Sequence, residues 1–234
     1  MQKQEDQNTG LMKRKKQIIT IFLLIVLSII YTTIHPHAIQ YFESRQGTQL
    51  NDYILDVIPS YNVALFVFLI QYISISVFLF FNIRNYDTMV NVIAAFLILQ
   101  TIRLFTIYML PLEPPEGYVP LKDAILGAIV YSGNIYSKDL FFSGHTSAMY
   151  ILYFFSRTRN QKVFHLCSLS LIIPFILVQH IHYTIDIIGA VIISYLVCYF
   201  LRRLYHYTHP EIYSNANASQ NKDDEFPPLW KFKL

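Results

Sequence analysis

The sequence predicts an all-α membrane bundle of six transmembrane helices, and three observations carry that prediction. Of 234 residues, 54% are hydrophobic and only 14% charged, whereas soluble domains average about 25% charged. The apolar residues gather into six runs that read as helices crossing a bilayer, the last three of them short or abutting polar residues. The basic residues fall almost entirely on alternate sides of those runs, as the positive-inside rule demands.

The first run covers 17–34 and follows Lys13-Arg14-Lys15-Lys16. It is too long for a cleaved signal, and no small-residue cleavage site follows it. The second covers 61–83 and the third 89–110. The fourth starts near Ser143 and ends before Arg157, the fifth covers 163–180 and the sixth 183–201. With the N-terminus placed in the cytoplasm, fourteen of the eighteen Lys and Arg residues lie on the cytoplasmic side, three lie outside, and Arg103 lies within the third run. Both termini are then cytoplasmic. Two loops face outward, 35–60 and 111–140, and the second is broken by Pro111, Pro114, Pro115, Gly117 and Pro120. The expected organisation is a basic cytoplasmic segment 1–16, a membrane domain 17–205 and a polar, disordered cytoplasmic tail 206–234. No aqueous basic face exists for a nucleic acid. Cys167 and Cys198 sit inside apolar runs, so they read as small core hydrophobes and not as a disulfide or metal pair. His35-Pro36-His37 lacks carboxylate or cysteine partners at ligand spacing, and no metal is expected.

Polar groups at the ends of membrane spans are expensive and usually functional. Two stretches carry them here, Ser143-Gly144-His145-Thr146 and His182-Tyr183-Thr184-Ile185-Asp186. The fourth span enters from outside and the fifth exits there, so both stretches reach the same membrane face although 37 residues separate His145 from His182. A four-residue spacing puts His182 and Asp186 on one side of a helix. Asp186 can fix the tautomer of His182 and leave the other ring nitrogen as a nucleophile. Ser143 is a favoured N-cap, and Gly144 lets a ligand approach the backbone closely. A helix N-terminus there would receive a phosphate, with His145 placed to protonate a leaving oxygen. Two histidines and an aspartate in this arrangement suffice for covalent phosphoryl transfer without a metal or other cofactor. The competing reading is a pair of interfacial histidines that only hydrogen-bond.

The runs Asp139-Leu140-Phe141-Phe142-Ser143-Gly144-His145-Thr146 and His182 to Asp186 resemble the two signature motifs of the sphingomyelin synthase family, a branch of the type-2 phosphatidate phosphatase superfamily. Gln100-Thr101-Ile102-Arg103, then Thr106 and Leu110-Pro111, resembles that family's third-span motif, and the resemblance covers roughly 60–205. It implies His182 as nucleophile, Asp186 as its orienting partner, and His145 as general acid and then base. It also implies transfer of a phospho-head-group (phosphocholine, phosphoethanolamine or phosphoinositol) from a glycerophospholipid to ceramide, releasing diacylglycerol, at an extracytoplasmic face of the Golgi or plasma membrane. The superfamily's phosphatases carry an arginine six residues before the nucleophile, where this chain has Ile176, and a lysine-rich first motif that is absent here. Both departures favour the synthase branch. They leave Arg103 first, then Lys138 and His180, as the candidate phosphate-binding cations, with Asp139, Ser143 and Gly144 completing the expected site. Alternatives are a lipid phosphate phosphatase with water as acceptor, a head-group exchanger acting on diacylglycerol, and an idle channel or scaffold with a relic site. Tyr118, Tyr131 and Tyr136, or Glu113, Glu116 and Asp123, are candidate head-group contacts. The expected partners are the two lipid substrates and the bilayer, with homo-oligomerisation left open.

Overall fold

Short polar side chains start three of the helices, each accepting a first-turn amide that would otherwise be orphaned. Asn85 accepts from Thr88, Ser143 from Thr146 and Thr158 from Gln161. The computed structural model describes residues 2–121 and 136–208, with side chains from residue 14. Its helices are α1 (Gln2–Glu43), α2 (Ala64–Asn82), α3 (Tyr86–Met109), α4 (Gly144–Phe155), α5 (Arg159–Val178) and α6 (Thr184–Thr208), with a 3-10 turn at Leu55–Val57. No strand occurs among the described residues, only an isolated bridge between Thr48 and Leu112. This is the multi-pass helical bundle the composition predicts. Within 111–140, the proline-rich part 111–121 is not helical, as expected, and 122–135 lie outside the described residues. So does most of the expected tail, from 209 onward.

Two helix ends lie past the prediction: α6 runs to Thr208 and not 201, so 206–208 are helical and not part of a disordered tail, and α1 also runs on. The first outer loop does not begin at 35, because α1 continues through Pro36 to Glu43. Proline removes only one helix bond, and the extension buries His35, Ile39 and Phe42, the last two against Ile107 of α3. The fourth span keeps its expected ends, near Ser143 and before Arg157, and is short. Among the described residues, five helices are long and apolar enough to cross a membrane, but α4 has 12 residues and reaches only about 18 Å at 1.5 Å per residue.

A helix that short survives among membrane-length neighbours by being buried. Met149 and Leu152 of α4 pack with Val67 and Phe78 of α2 and with Leu169, Ile172 and Ile176 of α5. Ile151 and Phe154 pack on the other side, with Ala95 and Leu99 of α3 and Ala190, Val197 and Cys198 of α6. Thus α4 is the axis of the bundle, between α2/α5 and α3/α6, and α1 lies outside against α3. Cys198 is core, as expected, whereas Cys167 is exposed on α5 and is not.

At one end of the bundle the loops 44–63, 110–121 and 136–143 meet the tight 179–183 turn. Two backbone bonds join two of these loops, the Thr48 amide donating to the Pro111 carbonyl and the Glu113 amide to the Thr48 carbonyl. The chains run so close at Gly47 that a Cβ there would stand 2.6 Å from the Leu112 carbonyl carbon.

Candidate active site

The start of α4 carries the first motif. The Ser143 hydroxyl accepts from the amide and hydroxyl of Thr146, and its amide donates to the Asp186 carbonyl at 3.1 Å. That backbone bond joins the two motifs directly. The ring centroids of His145 and His182 are 6.4 Å apart and the rings are nearly edge-to-face. Phe68 of α2 lies beside His145, at 6.5 Å between centroids.

Asp186 does two jobs at the start of α6. It stands three residues past Tyr183, and its Oδ2 accepts the Tyr183 amide at 2.9 Å, which is the return bond of a capping box. The same oxygen lies 3.3 Å from His182 Nδ1. A neutral imidazole that donates from Nδ1 carries its lone pair on Nε2. His182 is 3% exposed and Asp186 fully buried. Asp186 Oδ1 has no hydrogen-bond partner among the described residues, so that carboxylate keeps acceptor capacity in the site. The structure therefore brings His145, His182, Asp186, Ser143 and Gly144 together.

The remaining expected residues sit one layer back. Arg103, 6% exposed on α3, turns its guanidinium onto the 139–142 loop. Its Nε donates to the Phe142 carbonyl at 2.7 Å, Nη2 to the Asp139 carbonyl at 2.9 Å and Nη1 to Asp139 Oδ2 at 3.0 Å. Asp139 Oδ1 is 2.9 Å from Nη2 as an ion pair, without hydrogen-bond alignment. One turn along α3, the Thr106 hydroxyl donates to the Phe141 carbonyl. The i, i+3 pair of the third-span motif thus holds three carbonyls of the loop that delivers His145. Gly144 makes this crossing close, since a Cβ would stand 3.3 Å from Arg103 Cζ and the guanidinium would have to give by a few tenths of an ångström.

Lys138 and His180 are engaged by the outer loops. Lys138 Nζ donates to the Arg45 carbonyl and pairs with Glu113 at 2.7 Å, while its amide donates to Glu43. The Lys138 ammonium, with the Gly47 amide, holds the Glu113 carboxyl below the usual glutamate range. His180 ends α5 in the left-handed region at φ 52, a place glycine or asparagine usually takes. Its ring nitrogens lie 2.6 Å from the Glu116 carbonyl and 2.9 Å from the Ile58 carbonyl, one on each outer loop. Of the candidate head-group contacts, Tyr118 donates to the Tyr136 carbonyl at 3.3 Å and burial pushes its phenol up to about 12. Tyr131 and Asp123 lie outside the described residues. His35 and His37 are two apart on a helix, the first buried and the second exposed, so they do not converge. No group of three or more metal-ligating side chains occurs among the described residues.

Sequence reasoning missed the partners of Tyr183 and Thr184. The Tyr183 hydroxyl donates to the Glu113 carbonyl and accepts from the Leu50 amide. Asp52 accepts from both the amide and the hydroxyl of Thr184. Asp52 lies 132 residues from Thr184, in a loop with no local pattern to mark it.

Residues 138–204 match the family model described as PAP2 superfamily C-terminal. The matched stretch contains both motifs and stops short of Arg103. It supports the type-2 phosphatidate phosphatase superfamily, and with it phospho-lipid chemistry of the phosphatase or phosphotransferase type. No curated protein matches the chain.

Proposed function

We propose that this chain is a membrane transferase that moves a phospho-head-group from a glycerophospholipid to ceramide through a phosphohistidine intermediate. The observation that carries it is the pairing of His145 with His182 at 6.4 Å while Asp186 holds His182 Nδ1. His182 Nε2 attacks the donor phosphorus and the bond from phosphorus to the glycerol oxygen breaks. His145, protonated, gives its proton to that oxygen and diacylglycerol departs. The phosphorylated imidazole carries positive charge, which the Asp186 carboxylate balances. The ceramide hydroxyl then attacks phosphorus, the now neutral His145 takes its proton, and the bond to Nε2 breaks. Amides of the first turn of α4 stand beside His145 to receive phosphoryl oxygens.

The placement of the site supports a lipid acceptor. If the charged turn Arg157–Arg159 marks the cytoplasmic surface, the start of α4 lies about 18 Å into a hydrocarbon layer of about 30 Å. The reacting groups are then recessed below the outer surface, where a lipid hydroxyl arrives laterally and water is scarce. Ile176, fully buried in the core, occupies the position of the phosphatases' arginine. The charge bias supports an extracytoplasmic site and cytoplasmic termini.

Purified protein incubated with labelled ceramide and a panel of phospholipids should yield one labelled phospho-sphingolipid, identified by mass. His182→Ala should abolish it, and His145→Ala should lower it by about 10²–10⁴-fold. Transfer persisting in folded His182→Ala would end this reading. The family match also favours a second reading, in which water takes the acceptor's place. Release of inorganic phosphate from phosphatidate, with no product on ceramide, would establish that one.

A further inference from the structure

The first-turn amides of α6 need partners, and the local sequence supplies only one. Tyr183 precedes the helix and has no short side-chain oxygen to offer. Asp186 takes the Tyr183 amide and its own amide donates to the Tyr183 carbonyl, which leaves the amides of Thr184 and Ile185. Asp52, from the loop after α1, takes the first of these. Its Oδ2 accepts the Thr184 amide at 2.6 Å and its Oδ1 accepts the Thr184 hydroxyl at 3.1 Å. Oδ1 also accepts from the amides of Ile54 and Leu55, which lock the carboxylate to its own loop. Burial pushes this carboxyl up, but the bonds from Thr184, Leu55 and Ile54 outweigh it and hold it below the usual aspartate range. It is therefore ionised at neutral pH, as a cap at the positive end of a helix should be.

We propose that Asp52 is a positioning residue for the transfer reaction: bonded to both donors of Thr184, it fixes the start of α6 and with it His182 and Asp186. The proposal rests on the reading of His182 as nucleophile. Asp52 touches neither histidine and acts through the backbone. His182 lies two residues before Thr184, in the turn between α5 and α6, and Asp186 lies two residues after it. Slack at Thr184 changes both the reach of Nε2 and the 3.3 Å contact that sets its tautomer. A misplacement of about 1 Å at a reacting group costs on the order of 10²-fold in rate.

The test compares wild type, Asp52→Ala, Asp52→Asn, Thr184→Val and the double variant Asp52→Ala/Thr184→Val, each purified in detergent and shown monodisperse. Head-group transfer to labelled ceramide and phosphate release from phosphatidate are followed over a substrate range. Asp52→Ala should lower kcat by about 10- to 100-fold and leave KM within about two-fold. Asp52→Asn, which keeps one carbonyl acceptor, should recover part of the loss. The double variant should be no worse than Asp52→Ala alone, since Thr184→Val removes only a bond that Asp52→Ala has already lost. Hydrogen exchange of the 180–187 backbone should quicken by about ten-fold in Asp52→Ala, with the middle of α6 unchanged. Wild-type kcat in folded Asp52→Ala, or unaltered exchange at 180–187, would overturn the proposal. A His182→Ala control separates the two readings. Turnover surviving that variant defeats the nucleophile assignment, whereas turnover lost there but intact in Asp52→Ala defeats only the role of Asp52.

Discussion

Replacing Arg103 by lysine keeps the charge and removes the fork, so it tests what the arginine is for. The guanidinium serves two carbonyls and both oxygens of Asp139, at distances from 2.7 to 3.0 Å. An ammonium donates from a single point and cannot span Phe142 on one side and Asp139 on the other. At least two charge-assisted bonds are lost, each contributing about 1.5–3 kcal/mol, for a total of about 3–6 kcal/mol. The side chains are 7% and 17% exposed, so little of this is recovered from solvent. Against a native stability of about 5–15 kcal/mol that is a large share. Thermal unfolding in micelles, followed by circular dichroism, should show Tm lower by about 6–24 °C. Asp139→Asn should behave alike, because it leaves the buried guanidinium uncompensated at a cost of about 3–5 kcal/mol. The two variants should lose kcat together, since both free the loop that delivers His145. The reasoning would be refuted if Arg103→Lys kept the wild-type Tm and raised only KM while Asp139→Asn was silent. Arg103 would then be a substrate-phosphate ligand, as the sequence alone suggests.

Gly144→Ala should lower Tm and kcat, with about 1–3 kcal/mol of overpacking against a guanidinium that its loop bonds prevent from retreating; normal unfolding and turnover would contradict it. Gly47→Ala should separate the two outer loops, because the obstructing atom is backbone, and would show as faster proteolysis of 44–60 with α5 intact. Asp52 and Glu113 both have folded pKa values below their unfolded ones. Their stabilisation is therefore complete above the ordinary carboxylate range and is lost as pH falls through the folded values. Tm should hold from neutral pH to about 5 and decline below about 4, less steeply in Asp52→Asn/Glu113→Gln; an equal slope in that variant would remove these two groups from the account.

The order of the described helices and the convergence of His145, His182 and Asp186 were legible in the sequence for local reasons. A membrane span is a run of apolar residues, and an N-cap is a serine at one position. A His-Asp pair is a spacing of four. The role of Arg103 was not legible, because the same residue at the same depth reads equally as a phosphate ligand or as a clamp on carbonyls 36 to 39 residues away. Lys138 and His180 read as candidate cations, yet in the fold they tie outer loops together through Glu113, Ile58 and Glu116. The end of α1 was misjudged because Pro36 is a local stop signal that long-range burial of Ile39 and Phe42 overrides.

By itself the sequence determined that His145, His182 and Asp186 belong to one end of a membrane bundle, since hydropathy and charge fix which span ends share a face. Only the tertiary structure decided that α4 is a short buried axis, and that Asp52, Arg103 and Thr106 hold the two motif starts in place. Those bonds end on backbone amides and carbonyls, which every residue type carries, so nothing in the sequence announces where they form.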